Sequence, residues 1–242
     1  NLTTALAAGV RFAGTLTVTA IANGDETAAL TAFTTAKTGA TTNILTADGA
    51  WSVVASALKT AIDGGVRLVG TVAVTDIAAG DEAGASTTFS TTNTGATSVT
   101  LAAADGTLSV AASVLATDLS SGIKYLGALT VTGIASGNET AALTAFTTTL
   151  TGATSVTLTA TDGIWSVATA DLATALTAGV RFAGALTVTG IANGDETAAL
   201  TAFTATKTGA TTVTLTSDGA WSVTAANLTT ALAAGVRFAG TL

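Results

Sequence analysis

The sequence predicts a mainly β fold, a tandem array of four repeats of about 56 residues, each with about four strands and one short helix, stacked as a solenoid-like fibre. Three observations carry this expectation. Gly9, Gly65, Gly122, Gly179 and Gly235 open close variants of one segment at steps of 56, 57, 57 and 56 residues, and such fixed-period self-similarity marks repeat architectures. After each of these glycines the apolar residues alternate with period two, as in Val180, Phe182, Leu186 and Val188, which suits a half-buried strand. Asn-Gly and Asp-Gly pairs then punctuate the unit where hairpins would turn.

The period sets the expected boundaries at 1–55, 56–112, 113–169 and 170–225, with 226–242 opening a fifth copy. Residues 1–16 return unchanged as 227–242. This duplication predicts a window cut from a longer periodic polymer, or else strand exchange in which one chain completes a unit of its neighbour.

Each unit is expected to open on a short helix. In the fourth copy Asp171 is placed to cap it, Leu172 and Leu176 share one face, and Gly179 ends it. Asn1, Ser56, Ser113 and Asn227 take the capping place in the other copies. The alternating strand follows, with inward sets Val10, Phe12, Leu16, Val18, then Val66, Leu68, Val72, Val74, then Ile123, Tyr125, Leu129, Val131. Asn193-Gly194 predicts a type I′ hairpin, and the return segment 196–206 reads as a strand with Phe203 inward, although Leu200 and Phe203 stand three apart. A second hairpin is expected at Asp218-Gly219, bringing Trp221 and Val223 back against Val213 and Leu215. Asn43-Ile44 replaces the Val-Thr of the other copies, which predicts two side chains exchanged between faces. The large apolar residues at recurrent positions form the expected packing core: Phe12, Phe33, Trp51, Phe89, Tyr125, Phe146, Trp165, Phe182, Phe203 and Trp221. Burial within one such unit falls short of the entropy of ordering it, so each unit must pack on its neighbours.

Composition narrows the function. The chain has no Cys, His, Met or Pro, so it offers no disulfide, no thiolate and no near-neutral imidazole base. A net charge of −7 with only eight dispersed Lys and Arg excludes the clustered basic surface that nucleic acid requires. No run of 18 strongly apolar residues suggests a membrane span. The charged fraction of 10% is low, yet the balance is Ala, Thr, Gly and Val, a composition that folds.

The stretch 218–236, Asp-Gly-Ala-Trp-Ser-Val-Thr-Ala-Ala-Asn-Leu-Thr-Thr-Ala-Leu-Ala-Ala-Gly-Val, resembles the tandem bacterial immunoglobulin-like (Big-type) repeats of large extracellular surface adhesins. The resemblance covers about half of each repeat. It implies an Ig-like sandwich for each module and a passive spacer role in a stalk outside the cell.

Candidate chemistry is sparse. The acid pairs Asp25-Glu26, Asp81-Glu82 and Asp195-Glu196 invite comparison with calcium loops, but calcium needs six to eight oxygens and no Asp-rich spacing surrounds them, so solvated turns are expected. The base after each opening glycine, Arg11, Arg67, Lys124, Arg181 or Arg237, is expected to pair with an acid of a neighbouring unit. Serine and threonine abound with no His to activate them, so no catalytic residue, cofactor or metal is expected. Asn1, Asn138 and Asn227 lie in Asn-x-Thr sequons and are candidate glycosylation sites. The expectation is a non-enzymatic structural protein that forms an extracellular filament or surface polymer with itself as partner. The alternative is the spacer of an adhesin or surface-layer protein, with glycans as candidate partners in either case.

Overall fold

In the computed structural model, which describes residues 2–242, the chain is α/β. Strands hold 37% of the residues and helices 36%, and all the strands run parallel. The mainly β array with one helix per repeat is therefore overturned, and the Ig-like sandwich with it, since a sandwich is built from antiparallel strands.

The segment after Asn-Gly decides the class. A type I′ hairpin needs positive φ at both central residues, but in each Asn-Gly turn only the glycine has it, with Gly194 at 98°. The chain consequently turns into a helix: Asp195 N donates to Ala192 O at 3.1 Å, and the residues read as a returning strand form helical turns instead. The three-residue spacing of Leu200 and Phe203 is the helical signal, and Gly84 and Ser86 at equivalent places in the second repeat weaken it. With helices between them, successive strands are joined by crossovers long enough for parallel pairing.

Two compact units are present, Asn1–Leu108 with Thr117–Gly127, and Ser109–Ala116 with Ala128–Leu242. The first holds α1 (Leu2–Ala7), β1 (Thr15–Ile21), α2 (Glu26–Ala32), α3 (Thr35–Thr38), β2 (Thr42–Ala47), β3 (Trp51–Val54), α4 (Ala55–Asp63), β4 (Val66–Val69), β5 (Thr71–Ile77), α5 (Glu82–Thr88) and α6 (Thr91–Thr94). The division then passes through β6 (Ser98–Ala111), α7 (Ala112–Ser120) and β7 (Ile123–Ile134). The first unit pairs β1 with β2 and β2 with β4, placing Leu16 beside Asn43 and Leu45 beside Leu68. It also pairs β3 with β5 and β5 with β6, placing Trp51 beside Val72 and Val74 beside Leu101.

The second unit continues with α8 (Glu139–Ala145), α9 (Thr148–Thr151), β8 (Ser155–Ala168), α10 (Thr169–Thr177), β9 (Val180–Ile191), α11 (Glu196–Ala202), α12 (Ala205–Thr208), β10 (Thr212–Ser217), α13 (Ala225–Ala233) and β11 (Val236–Ala239). Here β8 pairs with β7 and β9, and β10 with β9 and β11. Ranks of apolar residues line up across the ladders, as in Leu158 beside Phe182, Val188 beside Leu215, and Val213 beside Val236. Alternation of side chains along each strand places these residues on one buried face.

The second expected hairpin is also absent. Asp162-Gly163, the equivalent of Asp218-Gly219, lies inside β8, and the chain bends there without reversing. The register with β9 shifts between Thr159 and Ile164, so that Val156–Thr159 pairs with Val180–Ala183 and Ile164–Ala168 with Ala185–Thr189. At this bend Gly184, at φ 99°, leaves a position for a Cβ only 2.3 Å from Gly163 O, so the two backbones meet where a side chain has no room.

The short helices begin earlier than their expected caps. In α10 the N-cap is Ala168 and Asp171 falls in the first turn, while Thr224 caps α13 by accepting from Asn227 N. Leu58, Leu115 and Leu172 are buried, whereas Leu232, of the second apolar rank, is exposed. The cap expected at Asn1 lies outside the described residues. Nor does Asn43-Ile44 exchange faces: Asn43 sits fully buried in the slot that Val99, Val156 and Val213 fill elsewhere, and Ile44 stays on the other side beside Thr17.

Candidate functional site

Every expected core residue except Phe12 is buried: Phe33, Trp51, Phe89, Tyr125, Phe146, Trp165, Phe182, Phe203 and Trp221. The tryptophans make one recurrent bond. Trp51 Nε1 donates to Val69 O at 3.1 Å, Trp165 Nε1 to Ala183 O at 3.0 Å and Trp221 Nε1 to Ala239 O at 3.0 Å. Each acceptor is the residue before a glycine of positive φ, Gly70, Gly184 or Gly240, so the indole fastens the bend in the backbone. Trp165 meets Phe182, and Trp221 meets Phe238, edge to face with centroids 5.1 and 5.0 Å apart.

The charged residues serve local structure. Glu26, Glu82, Glu139 and Glu196 are buried at the starts of their helices, and their Oε2 atoms accept from Gly24, Gly80, Gly137 and Gly194 N at 2.6 to 2.8 Å. A carboxylate there satisfies a turn amide and suits the positive end of the helix. Among the described residues no group of three or more His, Cys, Asp or Glu could hold a metal ion.

The arginines also differ from expectation. Arg11, Arg67, Arg181 and Arg237 each donate to the carbonyl five residues earlier, Leu6, Ile62, Leu176 and Leu232 O, at 3.2 to 3.4 Å, and so satisfy helix C-terminal carbonyls rather than an acid of a neighbouring unit. Lys37 and Lys207 likewise donate to Thr31 and Thr201 O at 2.6 and 2.7 Å. Lys59 pairs with Asp63 at 2.7 Å on the exposed face of α4. Of the sequons, Asn138 is exposed at the cap of α8, Asn227 is half-buried within α13, and Asn1 lies outside the described residues.

A buried polar trio escaped the sequence reading. Tyr125 Oη donates a short hydrogen bond to Asp118 Oδ2, and the Ser86 hydroxyl also bonds this carboxylate. All three are buried, with exposures of 0%, 6% and 2%. Burial pushes the Asp118 pKa up, partly opposed by the two hydrogen bonds, and Tyr125 is pushed up by burial and then by Asp118. The signal that reveals the trio is a set of departures from the repeat. Asp118 stands where Ala61, Ala175 and Ala231 occur, Ser86 where Leu30, Leu143 and Leu200 occur, and Tyr125 where Phe12, Leu68, Phe182 and Phe238 occur. Three polar replacements that coincide in space satisfy one another, so none leaves a buried group unpaired.

Grooves recur where the first helix of a repeat faces the helix after its glycine turn. The one beside α4 and α5, about 420 Å3, is lined by residues including Lys59, Asp76, Asp81 and Phe89, and does not include the trio. Similar grooves lie beside α1 and α2, about 490 Å3, and beside α7 and α8, about 340 Å3. Alanine is the commonest residue of their walls, and the polar position that all three share is the cap of the second helix, Asp25, Asp81 or Asn138.

The least complete element is β1. It pairs with β2 along one edge, while its equivalents β5 and β9 carry on their second edge a Trp-Ser-Val segment, Trp51–Val54 or Trp165–Ala168. Val10 is 45% exposed, and Phe12, Leu16 and Val18 are half-buried, whereas Val180, Phe182, Leu186 and Val188 are at most 1% exposed. The expected inward set of the first repeat is thus not a buried core in the chain as it stands.

No family model, curated protein or solved structure matches the chain.

Proposed function

We propose that the chain is a non-enzymatic structural protein of the cell exterior, which forms a filament or surface polymer through the packing of its tandem repeats. The observation that carries this reading is the recurrence of one fastening scheme: the tryptophan bond across the strand bend in three repeats, and the buried glutamate closing the glycine turn after the strand in four. Recurrent internal bonds serve mechanical continuity, because neighbouring parallel strands are held by their ladders and, in three repeats, by an indole at the bend. Departures from the repeat support the same view. Asp118, Tyr125 and Ser86 differ from their equivalents, yet they are buried and bonded to one another rather than presented to a ligand.

The test is the denatured mass of the native protein together with electron microscopy of the undenatured sample. A giant polypeptide or visible fibres are expected. A monodisperse globule at all concentrations would overturn the reading.

A further inference from the structure

We propose that Asn23 and Asn193 are sites of spontaneous deamidation, and that the buried glutamates Glu26 and Glu196 hold this reaction back in the folded chain. Glycine follows asparagine at these two places alone, since Asn1, Asn43, Asn93, Asn138 and Asn227 precede Leu, Ile, Thr, Glu and Leu. With no Cβ on the following residue, its peptide nitrogen approaches the side-chain amide unobstructed. In the reaction the Gly194 N–H loses its proton to hydroxide and the nitrogen attacks Asn193 Cγ. The N–Cγ bond forms as the Cγ–Nδ2 bond breaks, and Nδ2 leaves as ammonia with a proton from water. Water then opens the cyclic imide at either carbonyl, giving aspartate or an isoaspartate whose backbone runs through the side-chain carbon. Both asparagines are exposed, so solvent reaches them.

The folded turn opposes the first two steps. Gly24 N donates to Glu26 Oε2 at 2.7 Å, and Gly194 N to Glu196 Oε2 at 2.8 Å. Glu26 and Glu196 are only 7% and 5% exposed, so little water screens them. A negative charge against the N–H disfavours a second one on the nitrogen. The lone pair of the amide anion also occupies the place of the lost proton, which is aimed at Oε2 rather than at the asparagine Cγ. The asparagine side chains are engaged elsewhere as well. An added Cβ on Gly49 would stand 2.9 Å from Asn23 Oδ1, and one on Gly219 2.6 Å from Asn193 Oδ1, so each amide lies over the Asp-Gly turn that follows in the chain. Glu82 and Glu139 make the same bond to Gly80 and Gly137 N, where Ala79 and Ser136 precede the glycine. Closing the turn is thus the general task of the glutamate, and restraint of the amide is added wherever asparagine precedes the glycine. Isoaspartate would lengthen the backbone inside the turn and misplace the helix that follows, so the guard preserves the fold.

Trypsin separates the two sites, since cleavage after Arg11, Lys37, Arg181 and Lys207 releases 12–37 and 182–207, which differ in sequence. The full chain is incubated at mildly alkaline pH, folded and in urea, and conversion of each amide to acid is followed by mass spectrometry of these peptides. Both sites are expected to react at similar rates in urea and far more slowly in the folded protein. Glu196→Gln removes the charge but keeps an acceptor, and should speed Asn193 several-fold. Glu196→Ala removes both and should speed it about tenfold or more, the rate equivalent of one charge-assisted hydrogen bond. Asn23 in the same molecules should keep its native rate, with circular dichroism unchanged. If Glu196→Ala does not fold, Glu196→Gln decides. Equal rates for the folded and unfolded native chain, or an unchanged Asn193 rate in folded Glu196→Gln, would overturn the guard; a slower rate there would overturn it too, by showing that the carboxylate acts as the base.

Discussion

Asn43 is the one buried side chain among the described residues whose polar atom stays unsatisfied. Its Oδ1 accepts from Thr38 Oγ1 at 3.0 Å, but Nδ2 has no partner. In the other repeats the slot holds valine, and the matching threonine hydroxyls of Thr94, Thr151 and Thr208 turn back to the carbonyls of Ser90, Thr147 and Thr204 at 2.9 to 3.0 Å. Asn43→Val is therefore expected to stabilise the chain by about 1 kcal/mol, since it removes an orphaned donor while Thr38 regains the local bond. Urea unfolding measures this, and a loss of stability would show that the amide is satisfied in solution. The Asp118 trio makes a prediction in pH. Because burial raises the Asp118 pKa, the folded chain retains a proton that the unfolded chain releases near the ordinary value of 3.8. Stability accordingly falls as pH rises through that value and levels off beyond the raised one. The triple variant Ser86→Leu, Asp118→Ala, Tyr125→Phe restores the residue types of the other repeats and should remove this component of the slope. Unfolding midpoints of both chains across the acid range should converge toward low pH and part as pH rises, with the variant the more stable; parallel curves would show that Asp118 titrates alike in both states. Tyr125→Phe alone should instead cost about 1–3 kcal/mol by leaving the carboxylate short of a donor.

Among the elements, the bent strands depend on glycine at one point and only use it at another. A Cβ on Gly184 would stand 2.3 Å from Gly163 O at φ 99°, so Gly184→Ala is expected to destabilise by about 3 kcal/mol or more. Gly190 has φ 68° with nothing within 4 Å of its added Cβ, and the equivalent Ala20 and Asp76 already adopt φ 58°. Gly190→Asp should therefore cost only about 1 kcal/mol. Equal losses in thermal or urea unfolding would show that space at the Gly163 carbonyl does not decide the difference. The helices show the limit of local reading. An Asn-Gly pair between two apolar runs has the signature of a hairpin, but φ of Asn193 and the closing bond from Gly194 N to Glu196 Oε2 at 2.8 Å send the chain into a helix. The recurrent Glu two residues after the glycine was in the sequence, and its role needed the folded turn to be seen.

For the whole molecule, repetition governs both what was legible and what was not. The 56- and 57-residue steps identified the unit, and the alternation of Val180, Phe182, Leu186 and Val188 identified a strand with one buried face, because both are properties of local periodicity. The positions of the aromatic residues followed for the same reason. Strand direction did not follow: parallel and antiparallel strands share the same alternation, and only the helical character of 196–208 makes the connection a crossover rather than a hairpin. The sequence alone determined the period, the apolar ranks, the absence of thiol and imidazole chemistry and the identity of Leu2–Ala13 with Leu228–Ala239. The tertiary structure decided the α/β class and the meeting of Ser86, Asp118 and Tyr125. These depend on which segments come together across tens of residues, and period and composition constrain each segment without fixing its neighbour.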